Sequence, residues 1–246
     1  DTIIGSSNTG TDFFYGDWSG DLIDGMNGTN DIFYVHDSGG VVAYLDGTAD
    51  IDGNSTADYI DRGLSSLNGY DGFADPWNSY TYVRNVDNLW GASGNDTLVG
   101  DGGANVINPR GGTNIVYGLG GNDTIGLTEG SNTVDGGSGT DTITFVREGL
   151  LANSGRNVTE GVEVFLSDAT SLDGHNSTGW GTTAQVHIVD GGIDLYSTVT
   201  NVENIEGSAY ADYLAGDSGA NRIEGHNGDD WITGNGGADS LYGEAG

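Results

Sequence analysis

The chain has 246 residues, 46 of them glycine, and sets 37 acidic side chains against 6 basic ones, for a formal net charge of -31 at pH 7. The basic residues are all arginines (Arg62, Arg84, Arg110, Arg147, Arg156 and Arg222), and cysteine is absent. This balance excludes a nucleic-acid partner, which needs a basic footprint; the lack of lysine excludes a Walker-type phosphate loop and a Schiff base, and the lack of cysteine excludes disulfides and thiolate metal sites.

No apolar run approaches the ~20 residues of a membrane-spanning helix, so no membrane span is expected. The chain opens on "DTIIGSS", which has no signal-peptide pattern. "DTII" has instead the form of the last four residues of a nonapeptide, and two loose nonapeptides follow it, GDWSGDLID (16–24) and GMNGTNDIF (25–33). Residues 1–33 are therefore read as a first repeat block and 34–81 as a less regular insertion, with a strand expected at "GVVAYLD" (40–46). Within the insertion, "DIDGNSTADYID" (50–61) approaches the spacing of an EF-hand loop. Ser55 stands at its glycine position and no flanking helices are evident, which argues against an EF-hand and leaves a one-off loop site open. The stretch 68–82 gathers Tyr70, Phe73, Trp77, Tyr80 and Tyr82, either as a loop packing its own aromatics or as a platform for a sugar or protein partner.

The second block, 82–144, contains six unbroken nonapeptides from Gly91: GASGNDTLV, GDGGANVIN, PRGGTNIVY, GLGGNDTIG, LTEGSNTVD and GGSGTDTIT. Position eight is always aliphatic (Leu98, Ile107, Val116, Ile125, Val134, Ile143), position six always Asp or Asn, and position four always Gly. A period of nine fits neither an amphipathic helix nor a simple alternating strand. A second insertion, 145–197, carries "GVEVFLS" (161–167), and the third block, 198–246, holds GSAYADYLA, GDSGANRIE, GHNGDDWIT and GNGGADSLY before stopping inside a repeat. Residues 82–108 match 198–224 at an offset of 116, so one architecture is expected twice, as a fragment of a longer array.

Six residues rich in Gly, Asn and Asp make a turn, and three with an aliphatic centre make a short strand. Two nonapeptides then close one coil of a parallel solenoid, with equivalent turns stacked 18 residues apart and the position-eight side chains pointing inward. The fold class is all-β.

The motif GGxGxDxUx, closest at GLGGNDTIG (118–126) and GGSGTDTIT (136–144), resembles the repeats-in-toxin (RTX) family, the secreted hemolysin-type calcium-binding proteins. The resemblance implies a parallel β-roll, several calcium ions held by position-six side chains and turn carbonyls, and export of the unfolded chain by type I secretion. Stacked carboxylates repel one another until a divalent cation is present, and Ca²⁺ accepts 6–8 oxygens in flexible geometry. Carried over by position, one edge of the second block bears Asn105, Asp123 and Asp141, and the other Asp96, Asn114 and Asn132. In the third block Asp212 pairs with Asp230 and Asn221 with Asp239, and Asp21 is a candidate in the first. Asn keeps an oxygen but loses the charge, so Asn114 over Asn132 allows an uncharged amide ladder in place of an ion, and Tyr210 replaces a position-four glycine.

No catalytic constellation is expected. "GDSG" (216–219) matches "GDGG" (100–103) in register, and neither HExxH nor G-x-S-x-G occurs. The four histidines (His36, His175, His187, His226) are scattered and read as loop residues. The expected protein is a calcium-folded structural segment of a secreted or cell-surface protein, with calcium and neighbouring repeats of the same longer chain as its partners. The alternatives are a polysaccharide- or partner-binding module, such as the family's alginate epimerases carry, and a segment that self-associates into a layer or filament through open solenoid ends.

Overall fold

A computed structural model describes residues 2–4, 13–15, 22–24, 31–33, 42–44, 59–61, 80–84, 87–91, 94–127, 130–145, 160–166, 184–190 and 193–246. These residues form a 13-stranded and a 9-stranded sheet and contain no helix. In the regular part the chain crosses between the sheets every nine residues. Strands Thr97–Val99, Thr113–Tyr117 and Ser131–Asp135 lie in the larger sheet and alternate with Val106–Asn108, Thr124–Gly126 and Thr142–Thr144 in the smaller. Neighbours pair in parallel with an 18-residue register, Val116 opposite Val134 and Ile107 opposite Ile125. This is the parallel solenoid that the nonapeptide period predicts.

The reason is visible in burial. Position eight is the centre of each short strand and supplies the side chain of the continuous core, while position nine beside it is buried as well, as at Val99, Asn108 and Thr144. Leu98, Ile107, Val116, Ile125, Val134, Ile143, Leu214 and Ile223 are each at most 1 % exposed and form one continuous core. Burying each contributes ~1.5–3 kcal/mol, and no single turn-strand unit could gain that alone. Leu127 and Phe145, where position one departs from glycine, extend the same core.

Among the described residues, the two insertions add strands only to the larger sheet. Val42–Tyr44, Tyr59–Asp61 and Tyr80–Arg84 form an antiparallel meander in the larger sheet. Val162–Phe165, Gln185–Asp190 and Ile193–Thr200 form a second one. In the second, the chain overshoots and then returns: Ile193–Thr200 pairs in parallel with Ser131–Asp135, while Val162–Phe165 pairs in parallel with Tyr213–Ala215 further along. Meanwhile Thr142–Thr144 pairs directly with Asn204–Glu206 in the smaller sheet, which stays parallel throughout. The stack of turns on that edge therefore continues past the insertion.

Candidate metal sites

The turns at each edge of the solenoid place position six directly over its equivalent one coil away. At five of these positions the backbone N–H of the position-six residue donates to the side chain of the next. Asp96 donates to Asn114 Oδ1 at 2.8 Å, Asn105 to Asp123 Oδ1 at 2.8 Å and Asp123 to Asp141 Oδ1 at 2.8 Å. Asp212 donates to Asp230 Oδ1 and Asn221 to Asp239 Oδ1, both at 3.0 Å. Asp96, Asn105, Asn114, Asp123, Asn132, Asp141, Asp212 and Asn221 are all buried, at 0–3 % exposure.

One carboxylate oxygen is thus used within the column, and the fate of the other separates the sites. Asp123 Oδ2, Asp141 Oδ2 and Asp230 Oδ2 are buried with no hydrogen-bond partner. A Cβ on Gly118 would collide with both Asp123 Oδ2 and the carbonyl oxygen of Gly136, so those two oxygens face the same small space. A Cβ on Gly136 would likewise meet the Asn201 carbonyl and, at 2.8 Å, Asp141 Oδ2. Position one is glycine because the position-six carboxylate of its own repeat fills the volume beside it. Buried acceptors facing each other without a donor are costly, and an oxygen-seeking cation is the chemistry that suits such a set.

Electrostatics follows from this packing. Burial raises the Asp123 carboxyl to about 7, aided by the nearby Asp141 charge and opposed by the hydrogen bond from Asn105. Burial also raises Asp141, Asp212 and Asp230 above the ordinary carboxylate range. Without a counterion these groups hold their protons more tightly than free carboxyls do.

The asparagine positions behave differently. Asn114 Nδ2 donates to Asn132 Oδ1 at 2.8 Å, an amide ladder, and the Asn132 N–H continues the column to Ser197 Oγ at 2.9 Å. Asn105 Nδ2 donates to the Asp87 carbonyl at 2.7 Å, and Asn221 Nδ2 to the Glu203 carbonyl at 2.8 Å. Asp21, the EF-like stretch except strand Tyr59–Asp61, and the aromatic stretch except Tyr80–Tyr82 lie outside the described residues.

Five further residues outside position six take part in or beside the turns. Glu203 Oε2 accepts the Asp141 N–H at 2.8 Å and so stands where position six would, carrying the column past the second insertion; burial raises its carboxyl too. Its place in "NVENIE", equivalent to Asp87 at the 116-residue offset, is the signal that could have revealed it. Ser208 binds Asp212 twice, at 2.6 Å through its N–H and 2.7 Å through its hydroxyl. Glu224, His226 and Glu244 bring ligand atoms within 4.8 Å of one another, although Arg222 already pairs with Glu224. His187 sits in strand Gln185–Asp190 rather than in a loop. The protease-like "GDSG" is a turn whose Asp217 Oδ1 accepts the N–H of Gly219 at 2.7 Å.

A parallel solenoid turning on stacked, oxygen-rich nonapeptide bends defines the class of protein. The RTX calcium-binding nonapeptide repeat matches in four copies, at 85–116, 110–143, 200–230 and 216–246, and these two stretches of the chain are RTX repeats. No match to a curated protein was found. Among the described residues no helix is long and apolar enough to cross a membrane.

Proposed function

We propose that this chain is a calcium-folded structural segment of a secreted or cell-surface protein, with ions bound at the turns of Asp123, Asp141 and Asp230. The observation that carries the proposal is the set of three buried carboxylate oxygens with no hydrogen-bond partner, in stretches that match a calcium-binding repeat. Calcium bound there supplies the positive charge and coordination that these oxygens lack. The chain's own residues position the oxygens: the column of N–H donors fixes one oxygen of each carboxylate, and at Asp123 and Asp141 the position-one glycines let the other approach a neighbouring carbonyl. Asp96 and Asp239, at the same repeat position, are further candidates.

Extracellular calcium modules bind at ~10⁻⁴–10⁻³ M, so such an array stays unfolded inside a cell and folds outside it. Each occupied site adds about 1 kcal/mol when free ion is several-fold above Kd. The role is structural rather than catalytic. Circular dichroism during a calcium titration tests this: a cooperative gain of β signal at millimolar Ca²⁺, not reproduced by Mg²⁺, is expected, and full β signal in excess chelator overturns it.

A second reading, attachment to a neutral polysaccharide, is favoured by one row on the outer face of the larger sheet. Tyr196, His187, Glu163, Tyr213 and Trp231 follow one another in register across five strands. His187 stacks on Tyr196 at 4.6 Å, and Tyr196 and Trp231 are 51 % and 53 % exposed. Aromatic faces suit the C–H faces of sugars, and the charge of -31 disfavours an acidic glycan. Retention on an immobilised neutral glucan that Trp231→Ala abolishes supports this reading, and equal elution of both proteins with the void removes it.

A further inference from the structure

The described turns fall into two backbone classes. In the turns 109–114, 118–123, 136–141, 225–230 and 234–239, position two has positive φ: 59° at Arg110, 73° at Leu119, 99° at Gly137, 68° at His226 and 60° at Asn235. Position four does too, at Gly112, Gly121, Gly139, Gly228 and Gly237. In the turns 100–105, 207–212 and 216–221 neither position does, which is why Tyr210 can stand at position four there.

The two classes differ in the same way in their hydrogen bonds. In the second class the position-two N–H donates to the position-six side chain: Asp101 to Asn105 Oδ1 at 2.9 Å, Ser208 to Asp212 Oδ2 at 2.6 Å, and Asp217 to Asn221 Oδ1 at 2.8 Å. The position-two side chain completes the closure. Asp101 Oδ1 accepts the Gly103 N–H at 2.6 Å and Asp217 Oδ1 accepts the Gly219 N–H at 2.7 Å, while both also face the Asn amide, at 3.4 and 3.1 Å. Ser208 Oγ accepts the Tyr210 N–H at 3.1 Å. Every polar side-chain atom of Asn105, Asp212 and Asn221 therefore has a protein partner. The three partnerless carboxylate oxygens all belong to the first class.

We infer that the turns 100–105, 207–212 and 216–221 are closed by their own hydrogen bonds and take no calcium, and that position two decides which turns do. An Asp or Ser there replaces the ion; a residue in the left-handed conformation leaves the position-six carboxylate open to it. The closed turns at 207–212 and 216–221 follow directly after the second meander, and 100–105 occupies the equivalent place in the earlier copy. They form a metal-independent seam where each insertion rejoins the regular coils. This inference rests on calcium binding at the open turns.

Isothermal titration of the full 246-residue chain with calcium tests it. Asn105→Ala and Asn221→Ala should leave the number of bound ions unchanged, whereas Asp123→Asn should lower it by one. The double variant Asp217→Gly/Asn221→Asp, which rewrites a closed turn as an open one, should bind one ion more. Loss of an ion in Asn105→Ala or Asn221→Ala, alongside the loss in Asp123→Asn, overturns the inference and leaves the calcium reading standing. Equal ion numbers in Asp123→Asn and the unaltered chain overturn both. Should the double variant not fold on calcium, the two alanine variants decide alone.

Discussion

Asp123 carries two opposed demands in one side chain. Its Oδ1 holds the coil before it through the Asn105 N–H, while its Oδ2 faces the Gly136 carbonyl with no donor between them. Asp123→Asn keeps the first bond and turns the second contact into an amide donor, so in calcium-free solution at pH 8 it should stabilise the fold by about 1 kcal/mol. Refolding by a stabilising osmolyte in chelator, where the unaltered chain is unfolded, measures this, and a higher osmolyte requirement for the variant contradicts it. Gly118→Ala acts on the same space from the other side, because its Cβ would strike Asp123 Oδ2 and the Gly136 carbonyl. Overpacking there should cost ~1–3 kcal/mol with calcium present, read as a lowered melting temperature.

At the scale of the element, a strand of three to five residues is stable only through its central side chain and its neighbours one coil away. Ile125 lies between Ile107 and Ile143 and is fully buried, so Ile125→Ala should cost ~2–5 kcal/mol. A loss below 1 kcal/mol in denaturant unfolding would show that the stack relaxes around the gap. The strands were legible in the sequence because position eight repeats without exception from Leu98 to Ile143. The columns were legible too, since an 18-residue coil fixes what stands over Asp123. The meanders were not: nothing local in "GVEVFLS" says that Val162–Phe165 pairs with Tyr213–Ala215 rather than with the strand before it. The two classes of turn were equally hidden. Position six shows which residues carry a charge but not which turns close on themselves; the hydrogen bond from position two does that, and it reaches Asp212 as well as Asn105 and Asn221.

At the scale of the whole molecule the columns link folding to pH and metal together. The folded, metal-free Asp123 titrates at about 7, against 3.8 for an ordinary aspartate. Between those values the folded chain holds a proton that the unfolded chain has released, so this stabilisation is fully present below about 3.8 and is lost as pH rises through about 7. Asp141, Glu203, Asp212 and Asp230 shift in the same direction. Calcium-stripped protein should therefore keep more residual β signal at pH 5 than at pH 8, whereas with saturating calcium the melting temperature should be higher at pH 8. Circular dichroism in chelator and thermal melts in calcium check it, and a metal-free β signal that rises with pH contradicts it.

The most direct test of the account is a crystal structure of the chain grown in millimolar calcium, with anomalous diffraction used to locate the ions. The account predicts an ion bound jointly by Asp123 Oδ2 and the Gly136 carbonyl, with others at Asp141 and Asp230. Anomalous maps with no peak at any of these three carboxylates, in crystals soaked to saturation, would contradict it.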